Sequence, residues 1–381
     1  MPESVHVRDQ RIDLLRGIAL VMIFINHIPG TIWENFTSRN FGFSDAAEGF
    51  VLMSGIATGL AYGVPFLSRQ PSWAQALRPW RRALTLWLVH VLVVLLVLGL
   101  FWLTRDQIGI LEMADQRNIL PVLNNPMGYL PALILMAHQF AYADILPLYI
   151  VLMLVAPAIL FLAVRWPYAV IAGAVALWFL VGLAQVKMPT YPLENGWLFN
   201  PLAWQVLFIT GIVTGLFLRQ GRRLLPVRSW ALRLATAFLI LAAIWAQVPA
   251  VADWGGHGLW VLHEHAGFPA VVTAFDKSFL YLPRLLHILA LAYVLSALPV
   301  VRRLAAKPAL APLVMLGRHS LPVFATSTGL AFGAQVIKAL HGPSVLLDTA
   351  LILTGLALLF AIAQAFDTRK RQKPGAVSPV A

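Results

Sequence analysis

Apolar runs close to twenty residues long, broken by short clusters of charge, Pro and Gly, recur from one end of the chain to the other. A helix needs about 20 such residues to cross the hydrocarbon of a bilayer. Windows bounded by these breaks predict ten transmembrane helices at roughly 12–29, 44–63, 83–104, 144–164, 167–186, 202–219, 230–249, 284–300, 319–338 and 345–366. Two long connecting segments, 105–143 and 250–283, are rich in aromatic, Pro, Asn and Gly residues. Within the first, the apolar stretch Met127–His138 is too short to span and reads as re-entrant or interfacial. The first span carries Asp13, Arg16 and His27 and is followed by no small-residue cleavage pattern, so it is expected to be a retained helix and not a signal peptide. No internal repeat or low-complexity tract appears. The expected organisation is one transmembrane domain over 1–368 and a disordered basic tail over 369–381.

Composition agrees with an all-α, polytopic membrane protein. Of 381 residues, 60% are hydrophobic and 12% charged, against about 25% charged in a soluble domain. Disorder and an ordinary soluble fold are therefore excluded. The chain has no cysteine, which excludes disulfides, thiolate metal sites and a cysteine nucleophile. A net charge of +12 raises the question of nucleic acid. The distribution answers it. Most of the 28 Lys and Arg, including Arg8, Arg69, Arg81, Arg82, Arg302, Arg303 and Lys373, fall in segments on the side of the N-terminus, whereas Arg39, Arg105, Arg117, Lys187 and Lys277 fall on the other. That bias predicts that both termini are cytoplasmic, and it accounts for the basic character without nucleic acid.

Ionisable groups within apolar helices are costly unless they face a cavity or a partner, so they mark function. Asp13 and Arg16 lie three residues apart on one face, where they can form a local ion pair near the cytoplasmic surface. From Arg16 to His27 is about 1100° of helix rotation and about 16 Å of rise. Both side chains thus face one direction, Arg16 at the cytoplasmic mouth and His27 in the external third of the bilayer. A membrane histidine can equally be a buried polar group satisfied by a neighbouring helix. Ser44 or Asp45 can cap the second helix, and Glu48 lies one turn further in, on the same face as Asp45. A histidine with one or two carboxylates against it is the arrangement a general base needs.

Other features are less specific. Gly55, Gly59 and Gly63, and likewise Gly211 and Gly215, repeat every four residues and read as packing faces. Arg318-His319-Ser320 opens the ninth span from the cytoplasmic side, where Arg318 either binds phosphate or snorkels. Arg284 and His287 share a face near the external start of the eighth span, lining a cavity or anchoring the interface. The external run from His257 to His265 includes His263 and Glu264, but its spacing matches no zinc pattern, and no metal is expected. Trp33, Trp197, Trp254, Trp260, Tyr129 and Tyr142 on the external side suit sugar stacking or an interfacial aromatic belt.

The segments Arg11-Ile12-Asp13-Leu14-Leu15-Arg16-Gly17, His27-Ile28-Pro29-Gly30, Asn40 through Glu48 and Ser54-Gly55 together resemble the start of the OpgC family, membrane succinyltransferases of osmoregulated periplasmic glucans. The resemblance is densest over 8–64 and returns at Gly317-Arg318-His319-Ser320-Leu321-Pro322. The spacing of Arg16 and His27 is also similar to that of the wider acyltransferase-3 group. What this implies is transfer of an acyl group, succinyl before others, from cytoplasmic acyl-CoA to a hydroxyl of a periplasmic glucan by a multi-pass protein of the bacterial inner membrane. Acyl-CoA would be a co-substrate, with no permanently bound cofactor. In the family pattern His27 maps to the catalytic histidine and Arg16 to the donor-associated arginine. Asp45 and Glu48 are expected to orient His27, Arg318 and His319 to assist donor binding, Asp13 to serve as a structural or relay group, and Trp33, Arg284 and His287 to lie on the acceptor side. The alternative is a proton-coupled transporter or flippase using Asp13, Arg16, His27 and Glu48 as a relay, and a third reading is a scaffold for glycan assembly.

Overall fold

The computed structural model describes residues 9–67, 74, 77–191 and 196–372. Arg8, Arg69, Lys373 and the rest of the tail to Ala381 lie outside the described residues. The described chain is all-helical. Its main elements are α1 (Gln10–Asn26), α2 (Ala46–Tyr62), α3 (Arg78–Thr104), α4 (Ile145–Arg165), α5 (Pro167–Ala184), α6 (Pro201–Arg219), α7 (Ser229–Gln247), α8 (Pro249–Glu264), α9 (Leu282–Ala297), α10 (Pro299–Ala305), α11 (Ala311–Arg318), α12 (Ser320–His341) and α13 (Val345–Arg371). Among the described residues, seven helices (α3, α4, α5, α6, α7, α12 and α13) are long and apolar enough to cross a membrane, and α9 with α10 makes an eighth if that bent pair is one span.

Each of the ten expected spans is helical, with four departures. The first two helices have 17 residues each, about 25 Å at 1.5 Å per residue, and α1 carries charge as well. The span expected over 284–300 bends by 75° between α9 and α10, where Pro299 opens the second piece and disfavours a helical residue before it. Residues 250–264, expected as loop, form α8. Helix α13 runs on to Arg371, so the boundary expected at residue 368 falls inside a helix.

The stretch 105–143 is likewise more ordered than its composition suggests. It folds into three short helices, Ile110–Gln116, Leu120–Asn124 and Pro126–Ile134. Their apolar residues Ile110, Ala114, Ile119, Val122 and Leu133 form a buried cluster with Val93, Val97 and Phe101 of α3 and Phe332 and Val336 of α12. This packed cap covers one end of the bundle.

Two close helix crossings organise the centre. Helix α2 lies against α6 along the glycine stripes, where a Cβ on Gly55 would come 2.2 Å from the Phe208 carbonyl oxygen and one on Gly211 would come 2.4 Å from that of Leu52. Helix α1 meets α11 through Gly17 and Gly317. A Cβ there would come 2.0 Å from the Leu313 oxygen and 1.8 Å from the Asp13 oxygen, respectively. Small residues let backbones approach this closely, and close packing is what holds helices together in lipid. Gly17 follows Arg16 and Gly317 precedes Arg318, so this crossing sets two arginines side by side.

One end of the bundle gathers basic groups. Arg11 and Arg223 both donate to the Ser296 carbonyl at the end of α9, and Arg318 meets Asp367 near the end of α13. At this basic end Asp9 caps α1 and pairs with Arg11 at 2.6 Å. Burial opposes ionisation of Asp9, but hydrogen bonds and charge from Arg11 prevail and lower its pKa.

Candidate active site

Two chambers lie along the inner face of α1. The smaller, about 200 Å³, is lined by Arg16, Arg82, Arg318, Ser54, Thr58, Tyr62, Tyr149 and Ser320 among apolar side chains. The larger, about 550 Å³, is lined by His27, Asp45, Tyr142, Asp144, Arg39, Arg117, Lys277 and Arg284, among others. Ile145 and Phe324 belong to the walls of both. Phe50 stacks on Phe324 with ring centroids 6.1 Å apart. The eleven-residue step thus does what helix geometry requires, placing Arg16 in one chamber and His27 in the other.

In the smaller chamber Arg16 donates to the Met53 carbonyl at 3.0 Å. Arg318 lines the chamber while also reaching Asp367 at 3.3 Å. His319 does not join them. Its Nε2 lies 3.2 Å from the same Asp367 oxygen and it lines neither chamber, so the structure places it as a hydrogen-bond partner of Asp367 behind the chamber wall. Of the basic pairs near this end, Arg82 lines the chamber, and Arg81, Arg302 and Arg303 do not. Asp13 is buried in the α1–α11 crossing and lines neither chamber, which favours the structural reading over the relay.

In the larger chamber the polar frame is built by α2 and α9. Asp45 caps α2 by accepting from the Ala47 N–H at 2.8 Å, and Glu48 completes a capping box by accepting from the Asp45 N–H at 3.0 Å. The other Glu48 oxygen accepts from Arg284 Nε at 2.8 Å and from its Nη2. Asp45 pairs with Lys277 at 2.6 Å and with Arg284 at 3.5 Å. The expectation that these carboxylates orient His27 is therefore corrected, because neither hydrogen-bonds to the imidazole. Their oxygens are committed to helix capping and to two cations. His27 Nδ1 is buried without a hydrogen-bond partner. Its backbone carbonyl accepts from Gln335 of α12 at 2.7 Å.

The remaining acceptor-side residues divide. Arg284 lines the chamber as expected. His287 stands behind it and accepts from, or donates to, Ser44 Oγ at 2.7 Å. Trp33 is outside the chamber, its indole N–H donating to Thr349 of α13 at 3.0 Å. Among the external aromatics, Tyr142 is the one that enters, with its ring 5.1 Å from that of His27. The Arg117 Cζ lies 4.9 Å from the centroid of the same Tyr142 ring. Asp144, buried at the start of α4, completes the wall. Neither Arg117 nor Asp144 stood out in sequence, because each lies in or beside a polar segment where charge is unremarkable. The run His257–His265 is helical up to Glu264, with His257 stacked on Trp260. Among the described residues no group of three His, Cys, Asp or Glu forms a metal-binding cluster.

One helix thus presents a guanidinium to one chamber and a histidine to the other, and the two chambers share a wall at Ile145 and Phe324. The family model described as OpgC protein matches residues 8–371. The chain belongs to that family. No curated protein and no solved structure matches it.

Proposed function

From membership of the OpgC family as premise, we propose that this membrane acyltransferase of glucan modification moves an acyl group, succinyl before others, from cytoplasmic acyl-CoA to a periplasmic glucan hydroxyl. The observation that carries the reading is the placement of Arg16 and His27 in two chambers meeting at Ile145 and Phe324. The proposal puts ten spans across the bacterial inner membrane with the basic end in the cytoplasm. Acyl-CoA then approaches the smaller chamber, with Arg16, Arg318 and Arg82 supplying guanidinium donors for its phosphates. The glucan approaches the larger chamber.

His27 takes the proton of the glucan hydroxyl as the oxygen attacks the thioester carbonyl. The tetrahedral intermediate collapses with cleavage of the C–S bond, and the imidazolium returns the proton to the departing CoA thiolate. Neither ring nitrogen of His27 has a protein hydrogen bond to give up before Nε2 or Nδ1 takes the proton, although Nδ1 itself is buried. The Gln335 contact to the His27 carbonyl fixes the end of α1, and the Asp45–Lys277 and Glu48–Arg284 pairs hold the facing wall.

The test is radiolabel transfer from succinyl-CoA, with acetyl-CoA in parallel, to periplasmic glucan by purified wild type and a folded His27→Ala variant. Transfer by the wild type that disappears in the variant supports the reading, and the donor ratio defines the acyl group. No transfer from either donor, together with no CoA binding, overturns it in favour of transport.

A further inference from the structure

The larger chamber is richer in cations than in carboxylates. Arg39, Arg117, Lys277 and Arg284 face it, against Asp45 and Asp144. Three of the four cations have acidic partners: Arg39 pairs with Glu34 at 2.9 Å, Lys277 with Asp45, and Arg284 with Glu48. Arg117 forms no ion pair among the described residues. Its Nε donates to the neutral Gln335 side chain at 3.1 Å, and its Cζ lies 4.9 Å from the centroid of the Tyr142 ring.

That arrangement aims the guanidinium. With Nε occupied by Gln335 and no ion pair among the described residues, the two Nη groups remain as a fork. The scaffold is built to keep it there. The Arg117 carbonyl accepts from the Ala141 N–H at 3.2 Å, and the Asn118 carbonyl lies 2.7 Å from His138 Nε2. Tyr142 itself adopts φ 71°, a left-handed conformation that an aromatic residue rarely takes and that surrounding structure must impose. The ring of this strained residue contacts both Arg117 and His27. A cation held next to the candidate base, with its fork unused, calls for a planar anion.

We propose that Arg117 is a specificity-determining residue that binds a carboxylate carried by one of the reacting molecules, in the first instance the far carboxylate of a dicarboxylic acyl group. The assignment of that carboxylate to an acyl group rests on the acyltransferase reading above. The binding of a carboxylate by Arg117 does not. A four-carbon dicarboxylic acyl chain has its thioester carbonyl and far carboxylate separated by two methylenes, so a carbonyl presented to His27 carries its carboxylate further into the chamber that Arg117 lines, where His27 and Arg117 contact the same Tyr142 ring. A neutral acyl group of the same length has nothing to offer there.

Two measurements test this on the full chain in detergent. The first is binding of radiolabelled succinate, with unlabelled butyrate as competitor. Wild type is expected to bind succinate and resist butyrate, Arg117→Gln to bind at least about tenfold more weakly, and Arg117→Lys, which keeps the charge without the fork, to fall between. Absence of succinate binding to wild type, or equal binding by wild type and Arg117→Gln, overturns the proposal. Should the glutamine variant not fold, unchanged binding by Arg117→Lys overturns it. The second is transfer from succinyl-CoA and butyryl-CoA to neutral and to carboxymethylated glucan. A loss in Arg117→Gln confined to the succinyl donor locates the carboxylate on the acyl group, and a loss that follows the carboxymethylated acceptor locates it there. An equal loss in all four combinations overturns a role in recognition. Wild type that binds succinate through Arg117 yet transfers nothing defeats the acyltransferase reading and leaves the carboxylate site standing.

Discussion

The two chambers are built on opposite principles. In the larger one most charges neutralise one another across its wall, Asp45 with Lys277 and Glu48 with Arg284, and in doing so cap α2 and tie it to α9. Those pairs are frame. What they leave available is His27, Tyr142 and Arg117, an imidazole and a guanidinium that contact one ring. In the smaller chamber the guanidinium of Arg16 rests on a backbone carbonyl and that of Arg318 shares one carboxylate with His319. Arg82 adds a third guanidinium, and the chamber walls are otherwise apolar or hydroxylic. A fixed frame around a base suits orientation of a nucleophile, and arginines around an apolar slot suit an anionic carrier with an acyl chain. The comparison teaches that the charges most visible in sequence do not all do the same work.

Removing the base should have the largest effect. His27→Ala is expected to lower glucan acylation by about 10² to 10⁴ while leaving CoA binding in place, as read by label transfer and by equilibrium binding to the same preparation. Loss of CoA binding together with transfer would break the separation of the chambers. The frame comes next. Glu48→Ala leaves Arg284 buried with Asp45 at 3.5 Å as its remaining acidic neighbour, and breaking such a pair costs about 3 kcal/mol. A clear fall in melting temperature in detergent is expected, and a melting temperature equal to wild type would show that the pair is not part of the frame. Gly317→Ala should cost about 1–3 kcal/mol by forcing α1 from α11. Because this crossing sets Arg16 beside Arg318, it should also raise the KM for acyl-CoA more than it lowers kcat, which a purely global destabilisation would not do.

Much of this architecture is legible in the chain because lipid leaves few options for a backbone. The ten apolar runs all became helices, and the glycine stripes of α2 and α6 meet as packing faces. The positions of Arg16 and His27 followed from helix rotation and rise. The partners of Glu48 did not, since Arg284 lies 236 residues away and nothing local signals which cation a buried carboxylate will meet. For the same reason Arg117 is unremarkable in a segment that reads as loop, and Tyr142 is one of six external aromatics with nothing to set it apart. Their significance depends on the 105–143 cap folding over α3 and α12, a tertiary event driven by Ile110, Ile119, Leu133 and Phe332 that no period in the sequence announces. Pro249–Glu264 was misread because its polar and aromatic content resembles a loop, whereas Pro249 at the start of α8 suits a first helical turn.

The smallest expected effect separates two neighbours that the sequence treated alike. Arg318 and His319 both approach the same Asp367 oxygen, at 3.3 and 3.2 Å, but Arg318 alone faces the smaller chamber. If that chamber receives the phosphates of the donor, Arg318→Ala removes a charged contact and should raise the KM for acyl-CoA about tenfold, equivalent to about 1.4 kcal/mol, with kcat nearly unchanged. His319→Ala should change that KM by less than about twofold, since Arg318 retains both Asp367 and the chamber. Steady-state kinetics over a range of acyl-CoA concentrations reads both. Equal increases in KM would mean that Asp367 organises the donor site through both residues, and the distinction between a chamber-facing cation and its supporting neighbour would fall.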